Sequence, residues 1–192
     1  MDDLRAARTR LLTLLKERSW RRGPVVLASG RTSDFYLDCK QTALSAEGAY
    51  LIGKLVFEHV RELRNKGVTI EGVGGLTLGA DPIAVATALT SQAAGEPVQA
   101  FIIRKEPKGH GTGAWMEGSA MLPEGSKVLI VEDVVTTGGS SRKAIERAVF
   151  SGLTPMALIC LVDREEGGRA ALADTGLPMT SIFTRSDFFA EP

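Results

Sequence analysis

The sequence predicts an α/β fold, a doubly wound and mainly parallel sheet, and three observations carry that expectation. Short runs rich in β-branched and aliphatic residues recur from residue 70 onward, a glycine-containing turn follows each, and helical patterns at 82–93 and 140–151 separate the earlier runs. Continuous apolar runs such as Val128, Leu129, Ile130 and Val131 suit strands covered on both faces, and their alternation with helices implies right-handed crossovers and parallel order. The 192 residues are 44% hydrophobic, enough to bury one core, so a single domain over 1–192 is expected. That composition excludes a solvated disordered polymer and a disulfide-stapled mini-protein.

In chain order, Ala7, Leu11, Leu14 and Leu15 recur at helical spacing among arginines and a lysine, which predicts an amphipathic helix over 3–18 as an amino-terminal extension. Ser45 is the N-cap of a second helix, whose stripe of Ile52, Leu55, Val56, His59, Val60 and Leu63 stops near 65–67; His59 on that stripe reads as a packed core residue. Strands are expected at 70–74, 98–103, 128–131, 156–162 and 180–183. Ligands of such sheets bind outside the carboxyl ends of the strands, so function belongs in the loops there.

Charge excludes one broad class. With 23 basic against 23 acidic side chains, the chain has no surplus for neutralising a polyphosphate, so any phosphate it binds is small and locally held. Cys39 and Cys160 stand far apart and outside CxxC spacing, and read as inert thiols of a reducing compartment rather than a zinc site or disulfide. The amino terminus has the wrong order for a signal peptide, and no apolar run approaches roughly 18 residues, which makes the cytoplasm the expected location.

The most informative stretch is VLIVEDVVTTGGSS at 128–141. A buried strand delivers Glu132 and Asp133 to its carboxyl end, and Val134 and Val135 lead into a small-residue turn of Thr136, Thr137, Gly138, Gly139, Ser140 and Ser141 that opens a helix. Glycines let the backbone turn its N–H groups toward one centre, hydroxyls add donors, and the helix dipole favours an anion. No lysine follows the glycines, so this is not a Walker A loop, and GxGxxG is absent. Carboxylates cannot hold phosphate directly; beside a phosphate turn they suit vicinal hydroxyls or a magnesium shell, which together describe a ribose 5-phosphate.

This strand, acid pair and turn resemble the signature of the type I phosphoribosyltransferases, which bind 5-phosphoribosyl 1-pyrophosphate (PRPP). The resemblance implies their fold with a small hood, and PRPP contacts along Glu132 to Ser140. A second stretch, IRKEPKGHGTGAWMEG at 103–118, places Arg104, Lys105, Lys108 and His110 among Gly109, Gly111 and Gly113. A mobile basic loop can close over developing negative charge and reopen to release product. RKEPKGHG is similar to the catalytic loop of the orotate phosphoribosyltransferase family, where the loop reaches into the partner subunit's site. That resemblance implies a homodimer and catalytic roles for these four cations, with Lys105 foremost.

Three further stretches resemble the same family. SGRTSDFYLD at 29–38 matches its base-binding segment, which implies orotate contacts at Tyr36 and Leu37 and, from the turn, at Thr136. GGLTLGADP at 74–82 matches its pyrophosphate loop, implying PRPP contacts at Thr77 and Leu78. DREEGGR at 163–169 implies that Arg164 holds the orotate carboxylate, a task suited to a planar guanidinium; the plainer reading is a surface arginine paired with Glu165 or Glu166. Ala28 and Leu78 stand where many members carry lysine, which moves charge to Lys105 and Lys108, or to Lys40.

The resemblance implies transfer of the PRPP ribose 5-phosphate to orotate, giving orotidine 5'-monophosphate and pyrophosphate in pyrimidine biosynthesis, with Mg²⁺ held mainly through substrate oxygens. Two other readings stand beside it. A relative using a purine or uracil would share the turn but offer Arg164 no carboxylate. A PRPP-sensing regulator would show a basic face for nucleic acid, which this neutral chain lacks.

Overall fold

The computed structural model describes residues 2–26, 32–107 and 115–190. Helix α1 (Asp2–Arg18) is followed by a hairpin of β1 (Trp20–Val26) and β2 (Thr32–Leu37), then by α2 (Lys40–Ala43) and the long α3 (Ala46–Asn65). Ser45 caps α3: its Oγ accepts from the Gly48 amide at 3.2 Å and donates to the Thr42 carbonyl at 2.7 Å. The strand–helix series then runs β3 (Gly72–Leu76), α4 (Ala80–Ala93), β4 (Gln99–Ile103), β5 (Met116–Glu117), β6 (Lys127–Val135), α5 (Gly139–Phe150), β7 (Thr154–Asp163), α6 (Gly168–Ala171), β8 (Met179–Thr184) and α7 (Arg185–Phe189).

The six-stranded sheet has the order β5-β4-β3-β6-β7-β8, antiparallel only at the two-residue β5. Strand order therefore reverses between β3 and β6, which is where such sheets open a crevice. The β3–β6 ladder ends at Gly74 opposite Ile130, whereas β3–β4 continues to Leu76–Ile103 and β6–β7 to Val135–Asp163.

Alternate residues of the strands face two cores. On one side Val73, Leu129 and Val131 pack with Leu11 and Leu14 of α1, Ile52 and Val56 of α3, and Ile83 of α4; on the other, Phe101, Ile103, Val128 and Ile130 pack with Ala144, Ile145 and Ala148 of α5. The doubly wound expectation holds, with one helix of the amino-terminal extension on the first face. Both cysteines are buried, and burial raises both thiols above their usual range. No helix among the described residues is long and apolar enough to cross a membrane.

Some boundaries differ from expectation. The strand expected at 70–74 is Gly72–Leu76: Ile70 is buried but precedes it, and glycines at 72, 74 and 75 hide the strand. The β1–β2 hairpin was not anticipated, and it supplies the small hood that the resemblance implied. His59 is largely buried as expected, its side chain 13% exposed with Nδ1 3.3 Å from Glu62.

Candidate active site

Strand β6 brings its acid pair to the reversal point. Glu132 is 4% exposed, and its Oε2 accepts from Ser141 Oγ at 3.2 Å. Burial pushes its carboxyl up to about 7 against the hydrogen bonds from Ser140 and Ser141, and the neighbouring Asp133 charge pushes the same way as burial. Asp133 is half-buried and accepts the Val134 amide on Oδ1 at 2.9 Å. Val135 is buried, and the chain then turns through half-buried Thr136, exposed Thr137 and buried Gly138 into α5. Gly138 has φ +82°, a left-handed conformation open to glycine, and its carbonyl accepts the Arg142 amide. No side chain caps α5, and the space beside exposed Gly139 is empty to 4 Å. Among the described residues the amides of 137–140 donate to no side chain or loop carbonyl, and the turn is open at Gly139 while Gly138 packs against Leu172 and Gly168.

The opposite wall is the β3–α4 turn. The Thr77 amide donates to the Ile103 carbonyl at 2.8 Å and Thr77 Oγ1 donates to Asp81 at 2.7 Å, which fixes the turn at both ends. The Thr77–Leu78 peptide is cis, and the Leu78 side chain is 59% exposed. Gly79 lies against the Asp133 carboxylate: a Cβ there would stand 2.5 Å from its Cγ. The Thr77–Gly79 turn and Asp133 therefore meet across the strand ends, with Glu132 and the 136–140 turn next to Asp133 along the chain. Lys40 is nearby, 2.7 Å from Asp38; that pairing chiefly, and the Asp133 charge after it, hold its ammonium protonated above the usual range.

A third wall joins β7 to the hood. The Arg164 amide donates to the Val135 carbonyl at 2.9 Å, and its Nη2 donates to the Phe35 carbonyl at 3.3 Å and pairs with Glu166 at 2.7 Å. The pairing expected of a surface arginine is present, but the side chain is 13% exposed and fastened to the hood. On β2, Tyr36 is 37% exposed, whereas Leu37 packs against the core, leaving Tyr36 as the open side chain of that pair.

The basic loop is only partly described. Arg104 Nη1 pairs with Glu117 on β5 at 2.8 Å, its carbonyl accepts from Arg147, and Arg147 stacks over Trp115 at 4.2 Å. Lys105 is exposed. Among the described residues no hydrogen bond or ion pair joins Arg104 or Lys105 to the acid pair. Lys108 and His110 lie outside the described residues, as do Ala28 and the first three residues of the 29–38 stretch.

Two residues outside the expected set also shape this site. Gly79 touches Asp133 across the crevice, and Phe35 carries the carbonyl that receives Arg164. Both stand inside stretches that resemble the family, Gly79 in 74–82 and Phe35 in 29–38, but only the small size of Gly79 is a local signal; the contacts of Phe35 with Arg164 are not marked by its neighbours in sequence.

An acid pair running into an uncapped glycine turn on one side of a topological switch point, with the β3–α4 turn on the other, defines a class of site, one for a phosphorylated ribose undergoing group transfer. The phosphoribosyl transferase domain family matches residues 41–175. Orotate phosphoribosyltransferase of Sorangium cellulosum is 47% identical over 96% of this chain and 94% of its own, and that of Thermosynechococcus vestitus is 44% identical over 98% and 96%. The crystal structure of Mycobacterium tuberculosis orotate phosphoribosyltransferase in complex with PRPP superposes with a TM-score of 0.78 at 33% identity, covering 96% of this chain and 99% of that one. The chain belongs to the orotate phosphoribosyltransferases.

Proposed function

We propose that this chain transfers the ribose 5-phosphate of PRPP to orotate, forming orotidine 5'-monophosphate and pyrophosphate, and that it does so as a single domain over 1–192 in the cytoplasm. The observation that carries the reading is the juxtaposition, at the β3–β6 reversal, of Glu132 and Asp133 with the open turn at Gly138 and Gly139. The turn's amides, with Thr136, Thr137 and Ser140, hold the 5-phosphate away from the reacting carbon, so binding energy there orients the sugar. Glu132 and Asp133 accept from the ribose hydroxyls, and Thr77 and Leu78 border the pyrophosphate.

Cleavage at the anomeric carbon leaves a cation-like ribose and concentrates negative charge on the departing pyrophosphate, so no covalent nucleophile is needed. Lys105, with Arg104, Lys108 and His110, meets that charge when the loop closes. Arg164 holds the orotate carboxylate, while Tyr36 and Leu37 of the hood and Thr136 of the turn bound the base.

Among the described residues no group of three His, Cys, Asp or Glu side chains is placed to hold a metal, yet the crevice offers hard carboxylate oxygens. That donor set fits Mg²⁺ arriving on the substrate, near Asp133, rather than one caged by the protein. Bound in this way the ion supplies Lewis-acid stabilisation of pyrophosphate oxygens.

The proposal includes a homodimer whose 104–113 loops are shared between subunits. Tyr50, Val85 and Leu89 are exposed on α3 and α4, and Tyr50 and Leu89 line an apolar groove of about 390 Å³ with Ala46, Ala49, Ala86 and Ala93. Exposed Leu78 stands in the turn just before α4, so a partner covering that helix would meet the crevice.

The deciding experiment offers orotate, uracil, hypoxanthine and adenine separately with Mg²⁺ and PRPP and follows nucleotide formation. Product from orotate alone is expected; consumption of a purine with orotate untouched would overturn the substrate assignment. Lys105→Ala is expected to lower turnover by about 2.7–4 kcal/mol of lost charge stabilisation while leaving orotate binding nearly intact, and wild-type turnover would remove Lys105 from the chemistry.

A further inference from the structure

A cluster of aromatic rings and arginines sits behind Arg164. Phe35 is wholly buried at its centre. Its ring meets Phe188 edge-on at 5.4 Å, with Phe189 at 6.0 Å and Trp20 at 6.3 Å. Two guanidinium carbons approach the same ring, Arg164 at 5.5 Å and Arg185 at 5.7 Å from its centroid. The Phe35 carbonyl also accepts from Arg164 Nη2, so one residue contacts this arginine through both ring and backbone.

The cluster is tied down from the far side. Helix α7 begins with a capping box between Thr184 and Asp187, and its first turn is fastened to the Arg164 loop because Glu165 Oε2 accepts from the Ser186 amide at 3.0 Å and from Ser186 Oγ at 2.7 Å. Asp187 in turn lies 3.4 Å from Arg8 of α1. Hood, β7 loop and carboxy-terminal helix therefore converge on Phe35.

We infer that Phe35 is a positioning residue for carboxylate recognition: its ring and carbonyl preset the Arg164 guanidinium, so it governs affinity for the base's carboxylate without touching the base. The physical ground is geometric. Two-pronged recognition of a carboxylate needs the guanidinium plane fixed, and a free arginine gives up rotamer freedom when it is fixed. An aromatic ring within roughly 6 Å of a guanidinium favours that placement, and burial strengthens the attraction. This inference rests on the reading of Arg164 as the group that meets the orotate carboxylate.

The test is a double-mutant cycle between Phe35→Leu and Arg164→Ala, read as separate KM values for orotate and PRPP, kcat, and inhibition by uracil, which has no carboxylate. Phe35→Met, an unbranched and pliable apolar side chain that also lacks an aromatic face, is run in parallel, and thermal melts with unchanged KM for PRPP establish that the variants are folded. In an otherwise wild-type chain either Phe35 variant should raise KM for orotate by roughly tenfold, with kcat and uracil inhibition little changed. In the Arg164→Ala background the same substitutions should add nothing. An unchanged KM for orotate in both folded Phe35 variants, or an increase that persists without Arg164, overturns the inference while leaving the site intact. Arg164→Ala with wild-type KM for orotate would instead remove the reading beneath it.

Discussion

At Glu132 a carboxyl that ordinarily titrates near 4.5 does so at about 7, because burial opposes its charge. Between those values the folded protein keeps a proton that the unfolded chain has released. Its stability is therefore greatest below the unfolded value and falls as pH rises through the folded one, by roughly 3 kcal/mol in all. Glu132→Gln should flatten that decline in urea-unfolding curves taken from about pH 5 to pH 8, and leave the ligand-free protein more stable than wild type at the upper end. Persistence of the full decline in the variant would assign it to other groups. Across the crevice, Gly79→Ala sets a Cβ 2.5 Å from the Asp133 carboxylate, which must then turn away from its place beside Val134. Initial-rate kinetics should show KM for PRPP raised by roughly 10- to 100-fold, the scale of a small misplacement in an oriented site. Residues of the acid pair and its turn were legible in sequence because they are adjacent and chemically loud. Phe35 was not, since its role arises from contacts with residues more than a hundred positions away, and an isolated phenylalanine in a strand carries no mark of them.

Elements read best where one period runs long enough to be seen. Helix α3 matches expectation because twenty residues carry an apolar stripe behind a capping serine. Ser45→Ala removes the acceptor for the Gly48 amide and should cost about 1 kcal/mol in denaturant unfolding, with both KM values unchanged. A shift in KM would mean that α2, joined to the cap through the Thr42 carbonyl, transmits to Lys40. Strand β3 begins two residues later than its apolar pattern suggests, because glycine is a poor strand former and Ile70 mimics a strand start. Those glycines have a packing cause: a Cβ at Gly74 or Gly75 would collide with the Phe101 or Val131 carbonyl. Hairpin β1–β2 was hidden by Gly23 and Pro24 within β1 and by a register shift between Arg22 and Val25. Helices α2, α6 and α7, at four to five residues, are shorter than a period can reveal.

For the whole molecule, the arrangement of the parallel sheet followed from the alternation of elements, while the exposed apolar face of α4 did not, because such a face shows itself only once the helix is docked. If two copies meet there and exchange loops, a mixture of Lys105→Ala and Asp133→Asn chains should regain activity that each lacks alone, since one site of a mixed pair would be intact. Continued inactivity after the subunits have been refolded together would confine each loop to its own crevice. The neutral net charge belongs to the same scale: selectivity for a highly charged substrate is local, built from one loop and one turn rather than from the field of the molecule.

The early end of the β3–β6 ladder at Gly74 and Ile130 has a consequence for solvent exchange. Past that pair, the backbone N–H groups of β6 that point toward β3 have left the ladder, while those on its other flank stay bonded to β7 as far as Val135. Deuterium should enter the first set faster than the second, the Val134 amide being held there only by the neighbouring Asp133 carboxylate, and an occupant of the crevice should slow only the first. One strand would then carry, residue by residue, a record of whether its open side is filled.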